Sequence, residues 1–206
     1  MDYAPLPPGW ITQSPLLVQA YSLAEASHRH QRRPSDGWPF LHHVTEVATF
    51  LAEADAAEVL IAVGLLHDSV ERGSLNEPKL RVEMGREITS LVLALSEDET
   101  IEDFRERKQA LRDQVRAAGP PAITVFAADK LSDIVGLRRG IERFGPRGIE
   151  SRIGTSLASM VDHYRASVDM VEFERPRLFL VPSLRSQLHR LAVEAPVDLG
   201  AEAATV

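Results

Sequence analysis

The chain has 206 residues, no cysteine, a formal net charge of -7 and a pI of about 5.5. That length bounds it to one domain with its own core. The missing cysteines exclude disulfides and thiolate metal sites, so any metal rests on His, Asp or Glu. The acidic balance argues against a nucleic-acid-coating surface, and a phosphorylated ligand would need a local metal or Arg/Lys patch. No signal peptide and no apolar run of membrane-spanning length is read, so the expectation is a cytoplasmic protein with no membrane partner.

In chain order, residues 1–13 are Pro-rich and read as an extended N-terminal segment. Ser14-Pro15 reads as an N-cap followed by proline at the first helical position, with Leu17, Ala20, Leu23 and Ala24 at helical spacing. Residues 28–39 form a polar loop rich in Arg, Pro, Asp and Gly. Leu41, Val44, Val47, Ala48 and Leu51 mark a second helix. Asp55 is expected to cap a third, nearly all apolar and therefore central, running into His67-Asp68. A short helix follows Asn76 and stops near Gly85; Ile88, Leu91, Val92 and Leu95 mark the next. An acidic loop over 96–103 leads into a long amphipathic helix ending at Gly119-Pro120-Pro121, whose Arg105, Arg107 and Lys108 read as its solvated face. A helix through Ile123, Phe126, Leu131 and Leu137 is expected to stop at Gly140, and a last long one to span 146–173. Beyond Pro176 the pattern weakens, and the Ala-rich end reads as disordered. With no strand alternation, this is an all-α fold: a single-domain helical bundle of about seven or eight helices. The domain is expected over 14–175, with 176–206 as a C-terminal extension.

The chemistry concentrates at the end of the apolar third helix, in Leu65-Leu66-His67-Asp68-Ser69-Val70-Glu71. On a helix His67 and Glu71 share a face, and Asp68 lies about 100° round from His67. A metal between those directions takes His67 and Asp68, and leaves Glu71 beside it. Two more ligands are needed. His43 opens the second helix, and Asp129 follows Ala127-Ala128 on an apolar face, where a carboxylate without a partner would be costly. Two His and two Asp suit Mn²⁺, Fe²⁺, Co²⁺ or Mg²⁺ better than structural zinc.

Five ordered segments carry a resemblance: Ala26-Ser27-His28; Gln31-Arg32-Arg33; Trp38-Pro39-Phe40-Leu41-His42-His43; Leu65 to Glu71; and Ala127-Ala128-Asp129-Lys130-Leu131. Together they resemble the RelA/SpoT-type HD hydrolases, and within them the small stand-alone enzymes, over roughly residues 15–170. The resemblance implies a metal-dependent phosphohydrolase with one divalent ion, Mn²⁺ first, on His43, His67, Asp68 and Asp129. It implies removal of the 3′-pyrophosphate from guanosine tetra- or pentaphosphate, a small-molecule nucleotide and not a nucleic acid. Glu71 then orients or deprotonates the attacking water, Arg32 and Arg33 flank the nucleotide, and Lys130 lies near the phosphates. Tyr164 is a further candidate pocket residue. Residues 175–206 are too few for the second domain of a bifunctional enzyme.

The chain departs from the family pattern twice. Arg72 replaces the aspartate after the catalytic glutamate, and Asp133 replaces an asparagine. Arg72 thus occupies a catalytic position but cannot act as a base, and Asp133 brings a carboxylate toward a polyanion. The two are expected to pair with each other. Two alternatives stay open: a phosphatase for another small phosphoester, and a catalytically weakened nucleotide-binding or regulatory protein.

Overall fold

The computed structural model describes residues 7–195. It contains eight α-helices and no strand among those residues, in keeping with the all-α expectation. α1 (Pro15–His28) starts where Ser14 Oγ accepts the Leu17 N–H at 3.4 Å and Pro15 takes the first turn. Ahead of it, Ile11–Gln13 coil into a 3-10 turn where extended chain was expected, because Ile11 buries against the core.

α2 (Phe40–Glu53) and α3 (Glu58–Leu66) pack tightly on each other, and α1 covers α3. Gly64 permits that approach: a Cβ there would meet Leu51 Cδ1 at 2.6 Å. As expected, α3 is buried almost throughout, from Ile61 to Leu66. It starts later than expected. Asp55 adopts φ 53 in the preceding turn, and Ala57 is the N-cap. It also ends at Leu66, so His67 to Arg72 continue as tight turns rather than regular helix, held by Ser69 N–H to Leu66 O and Arg72 N–H to Asp68 O, each 2.9 Å.

α4 (Glu77–Leu95) breaks at Gly85, where φ is 79, as the expected two-helix pattern requires. α5 (Phe104–Ala118) is capped by Asp103 and ends at Gly119, φ 87. α6 (Pro120–Ile153) is the axis of the bundle, touching α2, α3, α4, α5, α7 and α8. Its expected stop at Gly140 does not occur. A Cβ at Gly140 would lie 2.0 Å from the Ser35 carbonyl oxygen, so this glycine is a bearing for the 28–39 loop, not a terminator. The break comes at Gly145 (φ 70), and a second at Gly154 (φ 70) divides the single long helix expected over 146–173. α7 (Leu157–Glu174) follows. The region beyond Pro176, expected to lose its pattern, carries α8 (Val181–Glu194), which buries Leu184 and Leu191 against α6 and α7. Disorder was expected from Ala195 to the end; Ala195 instead caps α8 and is buried, and residues 196–206 fall outside the described residues. No described helix is long and apolar enough to cross a membrane.

Candidate active site

Three elements deliver the site. The start of α2 brings His43, the turn after α3 brings His67, Asp68 and Glu71, and the middle of α6 brings Asp129, Lys130 and Asp133. All of these except the buried His67 line a cleft of about 770 Å³, walled on the far side by α5 and α7.

At its floor four side chains converge. His43 Nε2 is 3.2 Å from His67 Nε2, 3.5 Å from Asp68 Oδ2 and 3.4 Å from Asp129 Oδ1. His67 Nε2 is 3.5 and 3.4 Å from the same two oxygens. His67 Nδ1 donates to the Gly64 carbonyl at 2.8 Å, which leaves Nε2 to face the centre. Two imidazole nitrogens and two carboxylate oxygens at such spacing are held together only by shared protons or a cation. Burial opposes charge on His67, but Asp68 and Asp129 outweigh it and raise its pKa to about 9. Burial likewise resists ionisation of Asp129, yet Lys130 and the two histidines hold it well below the ordinary carboxylate range. His43, His67 and Asp129 are buried with ligand atoms within 4.8 Å of one another, and the half-buried Asp68 stands beside them; a mixed N/O set of this kind fits a divalent cation.

The charge of the cleft agrees. Its lining carries five Arg/Lys side chains against seven carboxylates, so a phosphorylated ligand would meet net repulsion without an added cation.

Glu71 projects into the cleft beside Asp68. Its Oε2 accepts the Glu97 backbone N–H at 2.7 Å, and its Oε1 lies 3.3 Å from Arg72 Nε. Burial and the nearby Asp68 raise its pKa, with Arg72 working against them. A carboxylate raised toward neutrality is a better proton acceptor.

The expected Arg72–Asp133 pair does not form. Arg72 turns to Glu71 and, at 3.6 Å, to Asp68, while Asp133 takes Arg33 and Lys130, each at 2.9 Å. The chain thereby neutralises its extra carboxylate with cations from the 28–39 loop and α6. Arg33 is buried in the cleft wall, also near Asp36 and the Ser132 carbonyl. Arg32 is exposed, donates to the Gly37 carbonyl at 2.9 Å and is not among the cleft-lining residues. Lys130 bonds Asp129 at 2.8 Å as well as Asp133. Tyr164 is buried in the wall.

Among the lining residues that escaped the sequence reading are three charged ones that meet one another. Arg107 and Lys108, read as solvated face, turn inward onto Glu97; only Arg105 of that trio is well exposed. Glu97 is the third. An amphipathic helix facing a polar cleft has the same hydrophobic pattern as one facing water, so periodicity carried no signal for them.

Residues 20–123 match the model of the HD domain. The chain belongs to the HD-domain family. It is 31% identical over 135 residues to human guanosine-3′,5′-bis(diphosphate) 3′-pyrophosphohydrolase MESH1, covering 64% of this chain and 73% of that protein. It is 34% identical over 126 residues to GTP pyrophosphokinase of Streptomyces coelicolor, there covering 59% of this chain but only 15% of that much longer protein. Among solved structures, a metazoan ortholog of SpoT that hydrolyses ppGpp superposes with a TM-score of 0.66 at 20% identity, over 92% of this chain and 99% of that one. The lmo0812 protein of Listeria monocytogenes superposes at 0.64 with 21% identity, over 72% of this chain. The HD match ends at 123, so Asp129 rests on the geometry above and on the resemblance of its segment.

Proposed function

We propose that this HD-domain protein is a metal-dependent hydrolase that removes pyrophosphate from the 3′ position of guanosine 3′,5′-bis(diphosphate). The observation that carries the reading is the convergence of four donor atoms beside Glu71, at the floor of a cleft that holds Lys130, Lys108 and Arg72. His43, His67, Asp68 and Asp129 would hold one divalent ion, Mn²⁺ in the first instance. The ion supplies Lewis acidity, lowering the pKa of water and offsetting charge on phosphoryl oxygens. Glu71 aligns the attacking water and accepts its proton; the Glu97 N–H fixes its rotamer from behind. Lys130 and Arg72 meet the developing negative charge, and Tyr164 lines the wall against which the nucleoside packs. Arg33, which lines the same cleft, neutralises Asp133 there, so that carboxylate does not repel the substrate.

The test is pyrophosphate release from guanosine tetraphosphate with added Mn²⁺, alongside an Asp68→Ala variant. Metal-dependent release that disappears in the variant is the expected result. A second reading, hydrolysis of a different small phosphoester, is favoured by one observation: a guanidinium stands 3.3 Å from the Glu71 carboxylate. Metal-dependent release of phosphate from other nucleotides, with guanosine tetraphosphate untouched, would select it. Silence across a nucleotide panel would leave binding without turnover.

A further inference from the structure

His43 carries a hydrogen-bonded chain behind it that runs away from the cleft. Its Nδ1 lies 2.9 Å from Ser132 Oγ, and that hydroxyl lies 2.5 Å from Glu46 Oε2. Glu46 in turn receives both terminal nitrogens of Arg139, at 3.0 and 3.2 Å. Arg139 is anchored from the other side by Asp36 at 3.3 Å, and its guanidinium lies 4.6 Å over the Trp38 ring.

The directions of these bonds are forced. A carboxylate only accepts, so the Ser132 hydroxyl proton points to Glu46. The oxygen then has lone pairs alone to offer His43, so Nδ1 must be the protonated nitrogen. In the neutral imidazole that a metal ligand must be, the lone pair is then on Nε2, the nitrogen that faces Asp68, Asp129 and His67. Ser132 is wholly buried and lies three residues past Asp129 on α6, so one helix supplies both a carboxylate of the quartet and the orienter of a histidine from α2.

We infer that Ser132, polarised by Glu46, is the positioning residue that makes His43 an Nε2 metal ligand. The inference rests on the metal reading of the quartet. A carboxylate reaching a ligand histidine through a serine does two things. It selects the tautomer in advance, and it strengthens the imidazole as a donor by drawing on the Nδ1 proton. Arg139 keeps Glu46 in place and ties it to the 28–39 loop through Asp36 and Trp38, so the loop that packs on Gly140 also braces the metal floor.

The experiment is a Mn²⁺ titration of the full chain, reading free Mn²⁺ by electron paramagnetic resonance at one fixed pH. It compares the parent with Ser132→Ala and Glu46→Gln. Outer-shell partners of this type are worth about ten- to a hundredfold in metal affinity, so Ser132→Ala is expected to weaken Mn²⁺ by that factor and Glu46→Gln by less. The apparent Mn²⁺ requirement for turnover should rise in parallel, while the rate at saturating Mn²⁺ returns to within a few-fold of the parent; a merely structural defect would lower that rate instead. Parental Mn²⁺ affinity in both variants overturns the inference. If Ser132→Ala fails to fold, Glu46→Gln decides alone, since its side chain is partly exposed and its shape is kept. A parent that binds no Mn²⁺ overturns the metal reading together with the inference.

Discussion

Glu71 is the residue on which the proposed chemistry turns, and its environment can be read atom by atom. One oxygen is anchored by the Glu97 N–H, and the other shares its space with Arg72. Glu71→Gln keeps the anchor but loses the proton acceptor. Turnover is expected to fall by about 10²–10⁴-fold with Mn²⁺ affinity unchanged, which a rate assay paired with a metal titration would check. An equal fall in metal affinity would make Glu71 a ligand instead. At this scale the quartet was legible in the sequence. A His-Asp pair closing an all-apolar helix, and an aspartate after Ala127-Ala128, are costly unless something binds them. Ser132 and Glu46 were not legible, because a serine and a glutamate in mid-helix are ordinary residues there. Only the distance across the α2–α6 interface makes them a chain. The Arg72–Asp133 pair failed for a related reason: the swap of charges was visible, but Arg33, which takes Asp133, approaches from a hundred residues away.

The helices themselves were legible where their ends are written in local chemistry. Ser14, Asn76 and Asp103 each cap the helix that follows, and the breaks at Gly85 and Gly119 both require positive φ. Gly140 was misread because its reason is distant: it clears the Ser35 carbonyl, and nothing local distinguishes such a glycine from a terminator. The structure therefore makes a sharp prediction. Gly140→Ala would suit the helix by propensity, yet must push the 28–39 loop off α6. A loss of about 1–3 kcal/mol in urea unfolding is expected, whereas a gain would show the loop to be free to move. α8 went unread although Val181, Leu184, Leu188 and Leu191 stand at helical spacing, and Leu184 and Leu191 are fully buried. Leu184→Ala should cost about 2–5 kcal/mol, measured the same way. A cost below 1 kcal/mol would mean that α8 is an appendage to the bundle rather than part of it.

For the whole molecule, metal, protons and folding are linked through His67. Without metal, Asp68 and Asp129 overcome the effect of burial and hold a proton on this imidazole up to a pKa of about 9, against an ordinary value of 6.5. The sign follows from the raised pKa: the proton stabilises the metal-free fold fully below pH 6.5, and that stability is lost as pH rises through about 9. A metal ion must displace the same proton, so its affinity increases with pH over the same window, by up to about tenfold per pH unit. The two trends run in opposite directions. Ligand binding stabilises by RT ln(1 + [L]/Kd), about 2.7 kcal/mol at a hundred times Kd, and each tenfold gain in affinity adds about 1.4 kcal/mol. The gap in melting temperature between Mn²⁺-loaded and EDTA-treated protein is therefore expected to widen steadily from pH 6.5 to 8.5, through a falling metal-free Tm beside a nearly level metal-bound one, because the gain in affinity offsets the lost contribution of the proton. A gap that stays constant across this range would mean that no proton is exchanged when the metal enters, and that His67 faces the quartet as a neutral base before the ion arrives.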